Sequence, residues 1–78
     1  MRRFQDSRGT LWDVVLGRES WGASVALFVP PTASGLTVRQ APLQAVAQDA
    51  AMRELENMDD AALQELLDRS SDSQEGMQ

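Results

Sequence analysis

The sequence contains no cysteine and no histidine. Without cysteine there is no disulfide to staple the fold, and no thiolate to act as nucleophile or metal ligand. Without histidine the commonest general base near neutral pH and the commonest transition-metal ligand are both missing. An enzyme built from this chain would have to work with Ser, Asp, Glu and Arg alone, and the composition argues against one. Lysine, isoleucine and tyrosine are also absent, and all seven basic residues are Arg. That profile fits a GC-rich coding sequence, so part of the Arg preference reflects codon usage. No apolar run approaches the ~18–20 residues needed to span a bilayer. Arg2 and Arg3 imitate the basic start of a signal peptide, but no apolar segment follows them. The chain is therefore expected to stay in the cytoplasm, including at the cytoplasmic face of a membrane complex.

What is present is a chain of 78 residues with a formal charge of −5. One small core at this size supplies only a few kcal/mol of stability. The charge is uneven. Residues 1–40 carry five arginines against three acids, a net of +2, whereas residues 41–78 carry two arginines against nine acids, a net of −7. A basic half joined to an acidic half suits docking to a larger protein better than binding nucleic acid, because the second half repels phosphate.

The pattern is organised around Thr10–Val29, which reads as two strands joined by the loop Gly17-Arg18-Glu19-Ser20-Trp21-Gly22. Before it, residues 2–5 form a short first strand with Phe4 inward. Asp6-Ser7-Arg8-Gly9 is a tight turn, since Asp caps its own turn and Gly accepts the positive φ of a bulged hairpin. Strand two covers about 10–16, with Trp12, Val14 and Leu16 on one face and Leu11, Asp13 and Val15 on the other. Strand three covers 23–29 and ends at Pro30-Pro31, neither of which can donate to a ladder. A fourth strand is expected over 36–40, with Leu36 and Val38 inward.

Beyond Pro42 the residues change to Ala, Gln, Glu, Met and Leu, good helix formers. Helices are expected over 44–57 and 60–69, separated at Asn57-Met58-Asp59, where Asp59 is a suitable N-cap. One continuous helix over 44–69 is the alternative. The expected fold is α+β: a four-stranded antiparallel β-meander in residues 1–69 with two C-terminal helices packed on one face, then a polar tail, 70–78, with too few apolar groups to order itself.

Several constellations are weak as sites. The Gly17–Gly22 loop lacks nucleophile-elbow spacing, and without His no triad can form. The acids Asp49, Glu54, Glu56, Asp59, Asp60, Glu65 and Asp68 contain no calcium-loop pattern and read as a solvated helical face. No catalytic, cofactor or metal site is expected. The arginines with Trp12 and Trp21 do not make an RNA-binding sheet, which needs exposed aromatics within positive charge.

Strand three is apolar on both faces, unlike a sheet with one wet side. The expected helices are too short to cover both faces of four strands. Leu11, Val15, Ala26 and Phe28 would then form a bare apolar patch, which monomers seldom leave exposed. With Arg18 and Trp21, residue types enriched at binding hot spots, and with Arg2 and Arg3 near the start of the chain, they define a candidate interface for a larger protein or complex. The competing reading is a small acidic regulatory protein that masks a basic site on a partner.

Phe4-x-Asp6-x-x-Gly9-x-x-Trp12-x-Val14, the Gly17–Gly22 loop and Leu55-x-x-Met58-Asp59-Asp60-x-x-Leu63-x-x-Leu66-Leu67 resemble the motifs of short uncharacterised bacterial proteins of about this length. The chain is also similar to the small membrane-extrinsic subunits that join a photosynthetic reaction centre to its light-harvesting ring. That second resemblance implies an accessory, non-enzymatic role at a membrane complex, without pigment ligands of its own.

Overall fold

The computed structural model describes residues 2–18, 24–45 and 47–72. The chain is α+β, with an antiparallel sheet and two helices. The elements are β1 (Arg2–Gln5), β2 (Leu11–Arg18), β3 (Ser24–Val29), a 3-10 turn (Thr32–Ser34), β4 (Arg39–Pro42), α1 (Gln48–Glu56), α2 (Asp60–Asp68) and β5 (Ser71–Asp72). The sheet runs β1-β2-β3-β4-β5, every neighbouring pair antiparallel.

The first hairpin closes as its sequence dictates. Gly9 takes φ 89°, its N–H bonds Asp6 O at 3.1 Å, and Asp6 N–H bonds Thr10 O at 2.9 Å. Two residues thus oppose one, the geometry of a bulge with glycine in the left-handed position. The Ser7 N–H also donates to Gln64 Oε1 at 2.8 Å, which ties the turn to α2.

Register decides which side chains share a face. Phe4 lies opposite Trp12, Val14 opposite Phe28 and Leu16 opposite Ala26, and Ala26 opposite Ala41. Directly opposed residues point to the same side. Phe4, Trp12, Val14, Ala26, Phe28 and Ala41 accordingly join Leu55 of α1 and Leu63, Leu66 and Leu67 of α2 in one core cluster. Phe28 is its centre. The Phe4 and Trp12 rings meet it edge-on, at 6.4 Å and 70° and at 6.3 Å and 89°, a geometry contributing about 0.5–1.5 kcal/mol per pair beyond burial.

Four expectations are corrected. The sheet has five strands rather than four, because part of the polar tail, Ser71–Asp72, pairs with β4. Arg39 holds it there: its Nε donates to Ser70 Oγ at 2.7 Å and its Nη2 to Ser70 O at 2.6 Å. β4 occupies Arg39–Pro42 rather than 36–40, so Leu36 is 48% exposed instead of inward. α1 starts at Gln48, not 44: the Glu54 carboxylate takes the Gln44 and Ala45 N–H groups at 3.2 and 2.9 Å, and Ala47 is extended. Finally, Phe28 does not share a face with Leu11 and Val15. The separation of the helices at 57–59 is as expected, with Asp59 accepting from the Ala62 N–H.

Candidate protein-docking surface

The face of the sheet opposite the core cluster carries the other parity of the strands: Arg3 and Gln5 of β1, then Leu11, Asp13, Val15 and Gly17 of β2, then Val25, Leu27 and Val29 of β3, then Gln40 and Pro42 of β4. Leu11 is 46% exposed, and Val15, Leu27 and Val29 are half-buried. Leu27 lies directly over Gly17, where a Cβ would come within 2.6 Å of its Cδ1. The missing side chain therefore lets Leu27 lie flat across β2 and joins the apolar groups of β2 and β3 into one surface. At its border Arg3 and Asp13 form an exposed ion pair at 3.3 Å, so the charge on this face is compensated within the chain.

The seven candidate interface residues separate into five groups. Leu11, Val15 and Arg3 are on this face. Arg2 is turned the other way: it lies 3.6 Å from the Asp60 carboxylate and donates to Leu55 O and Glu56 O at 3.5 and 3.4 Å, holding β1 to the end of α1. Arg18 is exposed beside α1, with its Nη2 3.2 Å from Gln48 Oε1. Phe28 is fully buried in the core and offers nothing to a partner. Trp21 lies outside the described residues. Leu27 and Val29, both half-buried, take the place given to Ala26 and Phe28, while Val25 of the same parity is buried. Their alternation was visible in the sequence, but nothing in it said which parity of β3 faces which parity of β2.

Two hollows flank the sheet. A groove of about 270 Å³ runs between the end of β2 and α1, with Val14, Leu16, Met52 and Leu55 as its apolar lining. A more polar hollow of about 430 Å³ lies at the hairpin end, among Asp6, Arg8, Trp12, Arg39, Gln64 and Asp68. Asp6 is fully engaged there, accepting from Trp12 Nε1 at 2.9 Å, Arg8 N at 2.9 Å and Thr10 N at 2.8 Å. Burial pushes its carboxyl upward, but these donors and the nearby Arg8 charge outweigh it and hold the group below its ordinary value. A carboxylate stabilised in its ionised form is a poor general acid, and its three bonds tie the turn to the Trp12 indole.

Among the described residues no three acidic, His or Cys side chains are placed to share a metal ion, and no helix is long and apolar enough to cross a membrane. The helices instead present exposed acids, including Asp49, Glu56, Asp59, Asp60, Glu65 and Asp68. No protein family, curated protein or solved structure matches this chain.

Proposed function

We propose that the protein is a non-enzymatic accessory subunit that docks on a larger protein through the open face of its sheet. The observation that carries this reading is the apolar surface of Leu11, Val15, Leu27 and Val29, with Leu11 46% exposed. In this reading both helices cover the opposite face, and the acids they carry stay clear of the contact. Because the Arg3–Asp13 pair compensates its own charge, the complementary surface is a neutral, apolar patch rather than a charged one. An extrinsic subunit of a photosynthetic reaction centre–antenna complex, the setting implied by resemblance, is one assembly of this kind.

The test is co-purification of the full chain from its native source beside the variants Leu11→Asp and Val15→Asp. A partner that travels in fixed ratio with the wild type and is lost from both folded variants supports docking through this face. A monodisperse monomer without partner, or a partner retained by both variants, overturns it.

The exposed acids of the helices favour a second reading, in which they mask a basic site on a partner. Glu65→Arg with Asp68→Arg would then abolish binding, whereas docking through the sheet would survive both changes.

A further inference from the structure

Three stretches far apart in the sequence meet at the hairpin end of the sheet: the turn after β1, residues 36–39, and α2. The hollow of about 430 Å³ lies among them. Its walls are fastened by side chains. Ser7 N–H donates to Gln64 Oε1 at 2.8 Å, and Thr37 Oγ1 donates to Asp72 Oδ2 at 3.2 Å. The volume falls within the roughly 300–1,000 Å³ of small-ligand sites.

The charged groups of the hollow are Arg8, Arg39, Asp6 and Asp68. They balance in number but not in hydrogen bonding. Both oxygens of Asp6 are occupied, by three donors between them. The Asp68 carboxylate accepts from Gln64 Nε2 at 2.9 Å and is exposed to solvent. Arg39 directs two of its donors at Ser70 Oγ and Ser70 O, both uncharged acceptors. The Arg8 guanidinium makes no hydrogen bond or ion pair among the described residues, although its charge helps hold Asp6 ionised. Donors are therefore in surplus here, and acceptors are not. An apolar wall stands beside them, formed by Leu67 of the core and by Leu36, which is 48% exposed.

We propose that this hollow binds a small organic acid, its carboxylate taken by Arg8 and Arg39 and its aliphatic body covering Leu36. The planar fork of an arginine matches a carboxylate in shape as well as in charge. Covering Leu36 removes from water an apolar side chain that the fold leaves outside. A free branched-chain acid and the C-terminal leucine of a peptide carry the same chemistry. The site lies apart from the open sheet face and does not rest on docking there.

The experiment is an NMR titration of the full chain with 4-methylpentanoate, with acetyl-Ala-Leu bearing a free carboxylate, and with the amide of that dipeptide. Both acids should give saturable shifts at the Arg8, Thr37 and Gln64 amides and at the Trp12 indole N–H. Whichever acid binds more tightly identifies the source, free acid or chain end, and either result supports the site. The amide should bind about tenfold more weakly, the loss of a charged hydrogen bond. Arg8→Gln alters an exposed side chain with no bond to lose, and should weaken both acids by about the same factor. Leu36→Ser should weaken 4-methylpentanoate while leaving acetate unchanged. No saturable binding at millimolar acid, equal binding of the amide, acetate as tight as 4-methylpentanoate, or an Arg8→Gln protein that binds like wild type overturns the proposal. Val15→Asp should leave acid binding unchanged, so this titration and the co-purification test fail independently.

Discussion

The Trp12 indole N–H donates to Asp6 Oδ2 at 2.9 Å, so the side chain that closes the first turn also fixes one of the rings packed against Phe28. The carboxylate's other oxygen takes the Arg8 and Thr10 N–H groups. Asp6→Ala removes all three bonds and leaves the indole donor without its partner. The expected cost is about 1–3 kcal/mol, read from urea denaturation.

The same carboxyl makes stability depend on acid. Its folded value is lowered, so its contribution is fully present above the unfolded value of about 3.9. It is lost as pH falls from there through the lower folded value. Wild type should lose stability over that window more steeply than Asp6→Asn, which has no proton to take up. Parallel acid limbs in thermal melts of the two proteins would refute this assignment.

Phe28→Ala empties the centre of the core and breaks both edge-on ring contacts. A buried Phe→Ala change costs about 3–5 kcal/mol, a large part of the whole stability of a small domain. The expected outcome is a chain largely unfolded at 37 °C by circular dichroism. A well-folded Phe28→Ala protein that merely loses its partner would return this residue to the surface.

Gly17→Ala places a Cβ 2.6 Å from Leu27 Cδ1 and 2.8 Å from its Cγ. Leu27 must then rotate off β2, at about 1–3 kcal/mol. The apolar surface would be disrupted while the core face stays intact. Chemical denaturation should show the loss, with NMR shifts concentrated at Val25 and Leu27 rather than at Phe28.

Arg39→Leu removes the two bonds that hold Ser70. Hydrogen bonds to a charged group contribute about 1.5–3 kcal/mol. The loss should be local: amide exchange at Ser71 and Asp72 should accelerate well before that of β2 and β3. Unchanged protection at β5 would show that Arg39 is not its anchor.

The two strong features of the sequence were legible because they are local. Asp6 and Gly9 write a bulged turn through side-chain capping and a positive φ, and Asp59 writes a helix start through its carboxylate on the Ala62 N–H. Phe28 was misplaced for a reason equally physical. In a strand with apolar groups on both faces, alternation gives two sets, and only the pairing Val14–Phe28 says which set is inside. Leu36 was drawn inward by its apolarity, yet no strand passes there to bury it.

Composition and local chemistry by themselves determined the α+β class, the first turn, the division of the helices, and the absence of cysteine and histidine chemistry. Tertiary structure alone decided that Leu27 rather than Phe28 reaches the open face, that Ser71–Asp72 becomes a strand, and that Arg2 faces Asp60 while Arg18 stands beside a groove. Each depends on contacts between residues far apart in the chain. Register is a property of two strands at once, and no single stretch of sequence contains it.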